Sequence, residues 1–232
     1  MFDVARNLAL VRERVQAAAR ASGRDPAEIT LLAVSKTQPL PTIRAALAAD
    51  QHLFGENYLQ EALDKIRALE GRDIVWHFIG ALQANKTRAV AEDFAWVHTI
   101  DRERIAQRLS EQRPAELPPL DVCIEVRLSD EPGKHGVPPE DVPALAASIA
   151  RLPRLRLRGL MTIPAPVEDE QQQRIPFRRL RELRDALNTQ GHTLDTLSMG
   201  MSGDLEAAIA EGATLVRIGT AIFGPRAVKP DR

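Results

Sequence analysis

Cysteine is nearly absent from this chain of 232 residues, which contains only Cys123. A lone thiol cannot form an internal disulfide, and a chain of this length can bury an apolar core large enough to need none. Cys123 lies in the apolar segment 122–126, where a small buried side chain is expected rather than a nucleophile. The low cysteine content is typical of a protein from a reducing compartment.

Long apolar runs are also missing. No stretch approaches the roughly 20 residues that a membrane-spanning helix needs. The segment 2–21 contains Asp3, Arg6 and Arg12, which the apolar core of a signal peptide would not tolerate. The sequence therefore predicts a cytoplasmic protein without a membrane segment.

The chain has neither an excess of one charge nor many aromatic residues. Its 31 basic and 32 acidic side chains give a net charge of −1, and the arginines are scattered among acidic residues, which argues against a nucleic-acid partner. Aromatic residues make up 4%, which leaves no obvious patch for self-association and favours a monomer. The five histidines and one cysteine lack metal-ligand spacing, so no metal site is predicted.

Helical and strand patterns alternate along the chain. The predicted strands are 30–34, 52–54, 74–79, 96–100, 121–128, 155–161, 194–197 and 214–218, with helical periodicity between them. Strands separated by helices form parallel sheets, and no composition break divides the chain. The pattern predicts an α/β fold with a single (β/α)8 TIM barrel domain over residues 1–232, with an open doubly wound sheet as the alternative. Because few residues follow Gly219, the first helix is expected to cover the last strand.

Lys36 stands just after the first predicted strand. In such barrels, catalytic groups gather at the C-terminal ends of the strands. Burial lowers the pKa of a lysine, and the free amine can form a Schiff base with a carbonyl. Polar residues at the other strand ends predict a shared rim; they are Glu56, Asn57, Gln83, Asn85, Lys86, Asp101, Thr162, the segment 198–204, Gly219 and Thr220.

The loops after strands seven and eight are predicted to bind a phosphate. Their small residues let backbone N–H groups approach an anion, and Ser202 and Thr220 add hydroxyl groups. In a closed barrel, strand eight pairs with strand one, so these loops would lie beside Lys36. A ligand with both a carbonyl and a phosphate fits this arrangement, either a sugar phosphate or pyridoxal 5′-phosphate.

Arg217 favours the second of these ligands. Strand alternation places it on the same face as Gly219, inside the barrel mouth, where a guanidinium needs an acceptor. The ring nitrogen of pyridoxal phosphate is one acceptor, and a carboxylate such as Glu125 is the other. A permanent cation at the ring nitrogen disfavours its protonation and weakens the cofactor as an electron sink.

Seven motifs in order carry a resemblance to a known family. They are LAVSKT at 32–37, FGENY at 54–58, WHFIG at 76–80, LQANK at 82–86, RGLM at 158–161, LSMGMS at 197–202 and VRIGTAIFG at 216–224. This set resembles the pyridoxal phosphate homeostasis protein family, whose fold is that of the alanine racemase N-terminal barrel.

The resemblance implies that Lys36 forms a Schiff base with pyridoxal phosphate. It also implies that Ser202, Gly219 and Thr220 hold the phosphate and that Arg217 faces the ring. We add Asn57, Ser198 and Met201 to the predicted cofactor-binding residues.

The resemblance further implies a carrier or buffer of the cofactor rather than a fast catalyst, with apo-enzymes that need pyridoxal phosphate as possible transient partners. Racemisation needs a second base opposite the lysine, and none is evident in this sequence. Tyr58 is expected to be a packing residue, and His77 and His98 are expected to be hydrogen-bonded core residues. A weak amino-acid racemase and a sugar-phosphate lyase remain alternatives.

Overall fold

Eight parallel strands close into a barrel in chain order, with β8 hydrogen-bonded to β1. The computed structural model describes residues 3–129 and 135–225. The strands are β1 Thr30–Val34, β2 Leu53–Glu56, β3 Val75–Phe78, β4 Trp96–Ile100, β5 Leu120–Glu125, β6 Leu155–Met161, β7 Thr196–Ser198 and β8 Leu215–Ile218. The predicted closed barrel is confirmed.

Helices cover the outside of the barrel. They are α1 Val4–Ala21, α2 Leu40–Ala48, α3 Leu59–Ala68, α4 Thr87–Asp93, α5 Glu103–Gln112, α6 Val142–Ala150, α7 Glu170–Thr189, α8 Leu205–Ala210 and the single turn α9 Thr220–Phe223. Within residues 3–129 and 135–225, none of these helices has both the length and the apolar character needed to cross a bilayer.

The first helix closes the ring where α9 is short, as expected. Helix α1 packs against α2, α8 and α9, and Asn7 Nδ2 donates to Ile222 O at 3.0 Å. Its buried face repeats at spacings of three and four through Val4, Leu8, Val11 and Val15. Apolar burial therefore gives the last strand the cover that a full eighth helix would otherwise provide.

Strand alternation divides the apolar residues between two places. Most form a layer between the strands and the helices, whereas Leu32, Val34, Ile79 and Leu215 form a separate cluster. These four lie on the alternate face, inside the barrel. Polar side chains that are also buried occupy other parts of the interior, so the barrel is apolar near β1 and polar between β4 and β8.

Several predicted boundaries differ from the structure, and three of the differences have a local cause. Helical periodicity predicts a helix over 84–91, but α4 begins only at Thr87, because a 3₁₀ turn at Ala84–Lys86 precedes it. Strand β5 ends at Glu125, since Val126 forms an isolated bridge with Val137. Strand β7 begins only at Thr196 because the N–H of Leu194 bonds to the side chain of Asn188 in helix α7, at 2.7 Å from Oδ1.

Candidate functional site

Lys36 lies at the C-terminal end of β1, half-buried. It shares the alternation of Leu32 and Val34, which places it on the inner side of the barrel. The next residue, Thr37, has a φ of 64°, a left-handed conformation that a β-branched residue rarely adopts. The chain therefore turns sharply immediately after the lysine.

The end of β8 lies beside Lys36, as the barrel closure predicts. A Cβ placed on Gly219 would lie 3.2 Å from Val34 O, two residues before the lysine. A side chain at this position would require the neighbouring backbone to shift by a few tenths of an ångström, so glycine favours the close approach. The lysine and the loop that begins at Gly219 are thus neighbours.

The loops after β7 and β8 also meet. Ser202 Oγ accepts the N–H of Ala221 at 3.3 Å, and the N–H groups of Ile222 and Phe223 bond to Gly219 O. Helix α9 begins at Thr220, whose N–H has no acceptor among the described residues. This N–H and the nearby hydroxyl groups of Ser202 and Thr220 are donors that an anion could use.

Arg217 is buried inside the barrel, at 4% exposure, and its hydrogen bonds go to oxygen atoms of Ser198 and Thr162. Its Nη1 donates to Ser198 O at 2.6 Å and to Ser198 Oγ at 2.7 Å, and its Nη2 donates to Thr162 O at 2.9 Å. Among residues 3–129 and 135–225, no Asp or Glu lies within ion-pair distance of it, so the alternative pairing with Glu125 is not formed. Burial lowers the pKa of Arg217 to about 10, which leaves it cationic at neutral pH.

A hydrogen-bonded chain crosses the barrel from Arg217. Ser198 Oγ lies 2.8 Å from His98 Nδ1, and His98 Nε2 lies 2.9 Å from His77 Nδ1. An arginine only donates, so Ser198 Oγ accepts the hydrogen bond from Arg217. The hydroxyl proton of Ser198 then has His98 Nδ1 as its acceptor among the described residues. His98 then donates to His77, which carries its proton on Nε2.

Both imidazoles are neutral. Burial lowers the pKa of His77 to about 3, and burial together with the nearby His77 and Arg217 lowers that of His98 well below its ordinary value. These residues are hydrogen-bonded core histidines, as predicted. Cys123 is also buried as predicted.

His77, the last residue of this hydrogen-bonded network, borders a cavity at the N-terminal end of the barrel. The cavity is about 460 Å³, and its lining includes His77, Trp96 and Leu215. His77 stacks on Trp96, with centroids 5.2 Å apart and rings inclined by 8°. His77 Nε2 has no partner within the described residues.

Asn57 lies at the end of β2 with an unused acceptor. Its Oδ1 is buried and has no hydrogen-bond partner among the described residues. The end of β3 presses against its backbone, because a Cβ on Gly80 would lie 2.2 Å from Asn57 O. Only glycine permits this packing.

Gly80→Ala should therefore destabilise the fold at the candidate site. Relief of the overlap requires the end of β3 or β2 to move, which we expect to reduce the free energy of unfolding by about 1–3 kcal/mol. Denaturant titration measures this change. Gly203→Ala is the control, because nothing lies within 4 Å of a Cβ at that position. Equal stability of the two variants would contradict the prediction.

The other predicted residues lie on the rim. Met201 is 37% exposed, and its N–H bonds to Asp204 Oδ1 at 2.5 Å. Lys86 is exposed in the 3₁₀ turn after β3. The packing role expected for Tyr58 is wrong, because this residue is 53% exposed at the N-cap of α3, outside the core.

Lys65 is a site neighbour that the sequence analysis missed. Its side chain is buried on α3, and Nζ lies 2.8 Å from Glu56 Oε1, behind the end of β1. Ala62 and Leu69 are buried on the same helix at spacings of three and four from it. The sequence signal that could have identified Lys65 is its core-facing position on a predicted helix together with Glu61 four residues before it, which indicates a buried ion pair.

These residues could hold a ligand with three distinct groups. An aldehyde would meet Lys36, an anion would meet the loops at Ser202 and Thr220, and a ring acceptor would meet the remaining N–H groups of Arg217. Two observations within the described parts of the chain make this fit specific: the buried Arg217 has no carboxylate partner there, and the buried Asn57 Oδ1 has no hydrogen-bond donor there.

Comparisons with known proteins agree in family and in fold. The family described as alanine racemase, N-terminal domain, matches residues 6–227. The chain is 59% identical over 226 residues to the pyridoxal phosphate homeostasis protein of Pseudomonas aeruginosa, covering 97% of each chain. It is 56% identical to the protein of the same name from Escherichia coli K12, covering 97% of this chain and 98% of the relative.

Solved structures show the same barrel. PipY of Synechococcus elongatus, solved with pyridoxal phosphate bound, is 35% identical, with a TM-score of 0.84 over 95% of this chain and all of that one. Alanine racemase from Corynebacterium glutamicum is 18% identical, with a TM-score of 0.69, and this chain covers 63% of it. The second likeness concerns the fold alone.

Proposed function

The chain belongs to the alanine racemase N-terminal domain family and, within it, to the pyridoxal phosphate homeostasis proteins, and from this premise we propose that it carries or buffers pyridoxal 5′-phosphate. Pyridoxal phosphate is the cofactor. We further propose that it is held as a Schiff base on Lys36. The single observation that carries the proposal is the placement of Lys36 at the same barrel end as the loops after β7 and β8 and as Arg217, which has no carboxylate partner among the described residues.

The covalent bond needs only the amine and the aldehyde. The unprotonated form of the Lys36 amine would add to the aldehyde carbon, and one water molecule would leave as the carbon–nitrogen double bond forms. From the inner side of the barrel at the end of β1, Nζ would reach the aldehyde at the barrel mouth. Hydrolysis reverses the reaction and releases the cofactor, which suits a carrier.

The phosphate group would lie against the loops after β7 and β8. Ser202, Gly219 and Thr220 surround the first turn of α9, where the Thr220 N–H has no acceptor within the described residues. Backbone N–H groups at such a turn favour an anion. Met201 and Asn57 line the rim on either side of this arrangement.

Arg217 would face the ring nitrogen. Bound pyridoxal phosphate withdraws electrons from groups attached to its aldehyde carbon, most strongly when the ring nitrogen is protonated. Arg217 donates a hydrogen bond and stays cationic, so it opposes that protonation. Ser198, with both its oxygens bonded to Arg217, holds the guanidinium in place. The site would thus bind the cofactor while keeping its reactivity low.

Absorption spectroscopy tests the proposal. The protein incubated with pyridoxal phosphate should show a visible band that borohydride removes, leaving one phosphopyridoxyl group on the Lys36 peptide by mass spectrometry. A protein that stays unmodified would overturn the proposal. Trapping of a sugar phosphate in its place would favour the lyase alternative.

Amino-acid racemisation is the second candidate, favoured by the fold shared with alanine racemases. A racemase should exchange the α-hydrogen of an amino acid with deuterium from solvent, whereas a carrier should not. We expect no exchange above that of free pyridoxal phosphate, because no second base opposite the lysine is evident in the sequence. Nuclear magnetic resonance of the amino acid in heavy water measures it. Fast exchange would establish an enzyme.

We also propose a cytoplasmic location, a monomeric state and transient contact with apo-enzymes that require the cofactor. The buried, unpaired Cys123 and the scarcity of aromatic residues support the first two. Transfer to an apo-enzyme faster than free diffusion allows would support the third. Light scattering measures the assembly state, and a dimer would contradict the second.

A further inference from the structure

A cluster of buried charges lies behind Lys36, on the outer side of β1 and β2. Lys65 Nζ donates to Glu56 Oε1 at 2.8 Å and to Glu61 Oε1 at 2.5 Å. Glu56 also accepts from Ser35 Oγ at 2.5 Å. The Lys65 and Glu56 side chains are 6% and 0% exposed, so solvent screens their interaction little.

The cluster holds the backbone on both sides of the cofactor lysine. Lys65 Nζ donates to Ser35 O at 2.7 Å, and the N–H of Thr37 donates to Glu61 Oε1 at 2.6 Å. Ser35 and Thr37 flank Lys36 directly. Because Thr37 has a φ of 64°, the turn that follows the lysine is strained and needs contacts that maintain it.

Stability alone does not account for these charges. An apolar side chain of similar volume often stabilises a buried position as well as an ion pair does. Burial raises the pKa of Glu56, which shows how costly its charge is there, although the charge and hydrogen bond of Lys65 oppose the shift. The polar cluster does what an apolar one could not, since it bonds to one carbonyl and one N–H of the turn.

We propose that Lys65, together with Glu61 and Glu56, is a positioning group that fixes the backbone of Lys36 for reaction with the cofactor. This inference rests on the proposed function. Two hydrogen bonds hold the turn after β1, one to Ser35 O and one from the Thr37 N–H. They restrict the backbone of Lys36 and therefore the positions that its Nζ can reach. Loss of either bond frees the turn to relax away from its left-handed conformation.

Glu61 is the position to vary. Lys65→Met would leave Glu56 buried without its cation and can fail to fold. The Glu61 side chain is 32% exposed, so Glu61→Ala removes the Thr37 bond without stranding a fully buried charge. Glu61→Gln keeps an oxygen acceptor and should restore the bond. Asp64→Ala is the matched control on the same helix, since Asp64 is exposed and pairs only with the exposed Arg67 among the described residues.

Two readouts test the proposal. In the protein without cofactor, Glu61→Ala should lose hydrogen-exchange protection at the Thr37 N–H, while Glu61→Gln and Asp64→Ala retain it. With pyridoxal phosphate, Glu61→Ala should form the borohydride-trapped adduct on Lys36 at least about tenfold more slowly, because a small misplacement of a reacting group costs that much or more. Glu61→Gln should react within about threefold of the unaltered protein, and Asp64→Ala at the same rate.

The outcomes separate this inference from the function on which it rests. If the unaltered protein forms no adduct on Lys36, the proposed function fails whatever Glu61 does. If the unaltered protein reacts and folded Glu61→Ala reacts equally fast, the positioning role is overturned. A slow Glu61→Ala with normal Thr37 protection would also overturn it, because the effect would not pass through the turn.

Discussion

Lys36→Ala should abolish the covalent pyridoxal phosphate adduct, with no visible band and no borohydride-trapped peptide. The reason is chemical: among residues 3–129 and 135–225, no other lysine combines an inner position at a strand end with the proposed phosphate-binding loops alongside. Lys65 is engaged by two carboxylates, and Lys86 is exposed in the 3₁₀ turn after β3. We expect the adduct to fall by at least about a hundredfold, the usual scale for loss of a nucleophile.

Lys86→Ala is the matched control for this prediction. It removes a lysine from the same rim and should leave the adduct unchanged. The unfolding free energy of Lys86→Ala should lie within about 0.5 kcal/mol of that of the unaltered protein, the usual range for a surface substitution. A cooperative unfolding transition of Lys36→Ala in the same titration would show that this variant is folded when its adduct is measured. An adduct that persists in Lys36→Ala and disappears in Lys86→Ala would transfer the assignment to Lys86.

Acidification should unfold the protein, with His77 as a main cause. Its folded pKa of about 3 lies below the ordinary value of 6.5, so the unfolded chain binds more protons between these values. Stability is therefore fully present above about pH 6.5 and is lost as the pH falls toward 3. The linkage amounts to roughly 3 kcal/mol between pH 7 and pH 4 from His77 alone, a large part of a typical total of about 5–15 kcal/mol.

His77→Asn tests the assignment. The Asn side-chain oxygen can accept from His98 as His77 Nδ1 does, but it does not titrate. The unfolding free energy should therefore decline less steeply between pH 6.5 and 4, by the slope that corresponds to the uptake of up to one proton on unfolding. His98, whose pKa is also lowered, accounts for part of the remaining slope. Denaturant titrations at several pH values measure the slope.

His52→Asn is the control. The pKa of the exposed His52 is raised, chiefly by a hydrogen bond to the backbone of Asp73 and then by Asp50, so its contribution is lost as the pH rises rather than as it falls. This variant should not make the acid decline shallower. An unchanged slope in His77→Asn would show that other groups drive the acid unfolding.

The neutral histidines also matter for the proposed function. Ser198, His98 and His77 form a chain in which every donor except the last has an acceptor, and the first donor is Arg217. A protonated imidazole would face the guanidinium charge across the serine, which is why the pKa of His98 falls further in its presence. The Ser198–His98–His77 network thus supports a cationic Arg217 beside the proposed ring position and adds no second charge there.

The sequence by itself determined the element order, the barrel and the family. Apolar periodicity distinguishes strands from helices because it reports which face each segment buries, and eight strands alternating with helices leave few architectures. Lys36 and Arg217 could be recognised because a charged side chain within or at the end of an apolar strand is costly unless it has a specific role. The boundary errors at α4, β5 and β7 arose where local hydrogen bonds rather than apolar periodicity set the ends.

Only the tertiary structure decided which polar groups meet. Lys65 reaches Ser35 from another element, and His77 is joined to Ser198 through His98 across the interior, at sequence separations that no local pattern encodes. The rejection of the Arg217–Glu125 pair likewise needed the positions of the Thr162 and Ser198 carbonyl oxygens. The physical reason is that burial patterns specify the face a residue presents, whereas hydrogen-bond partners depend on distances of a few ångströms that are fixed only when the barrel closes.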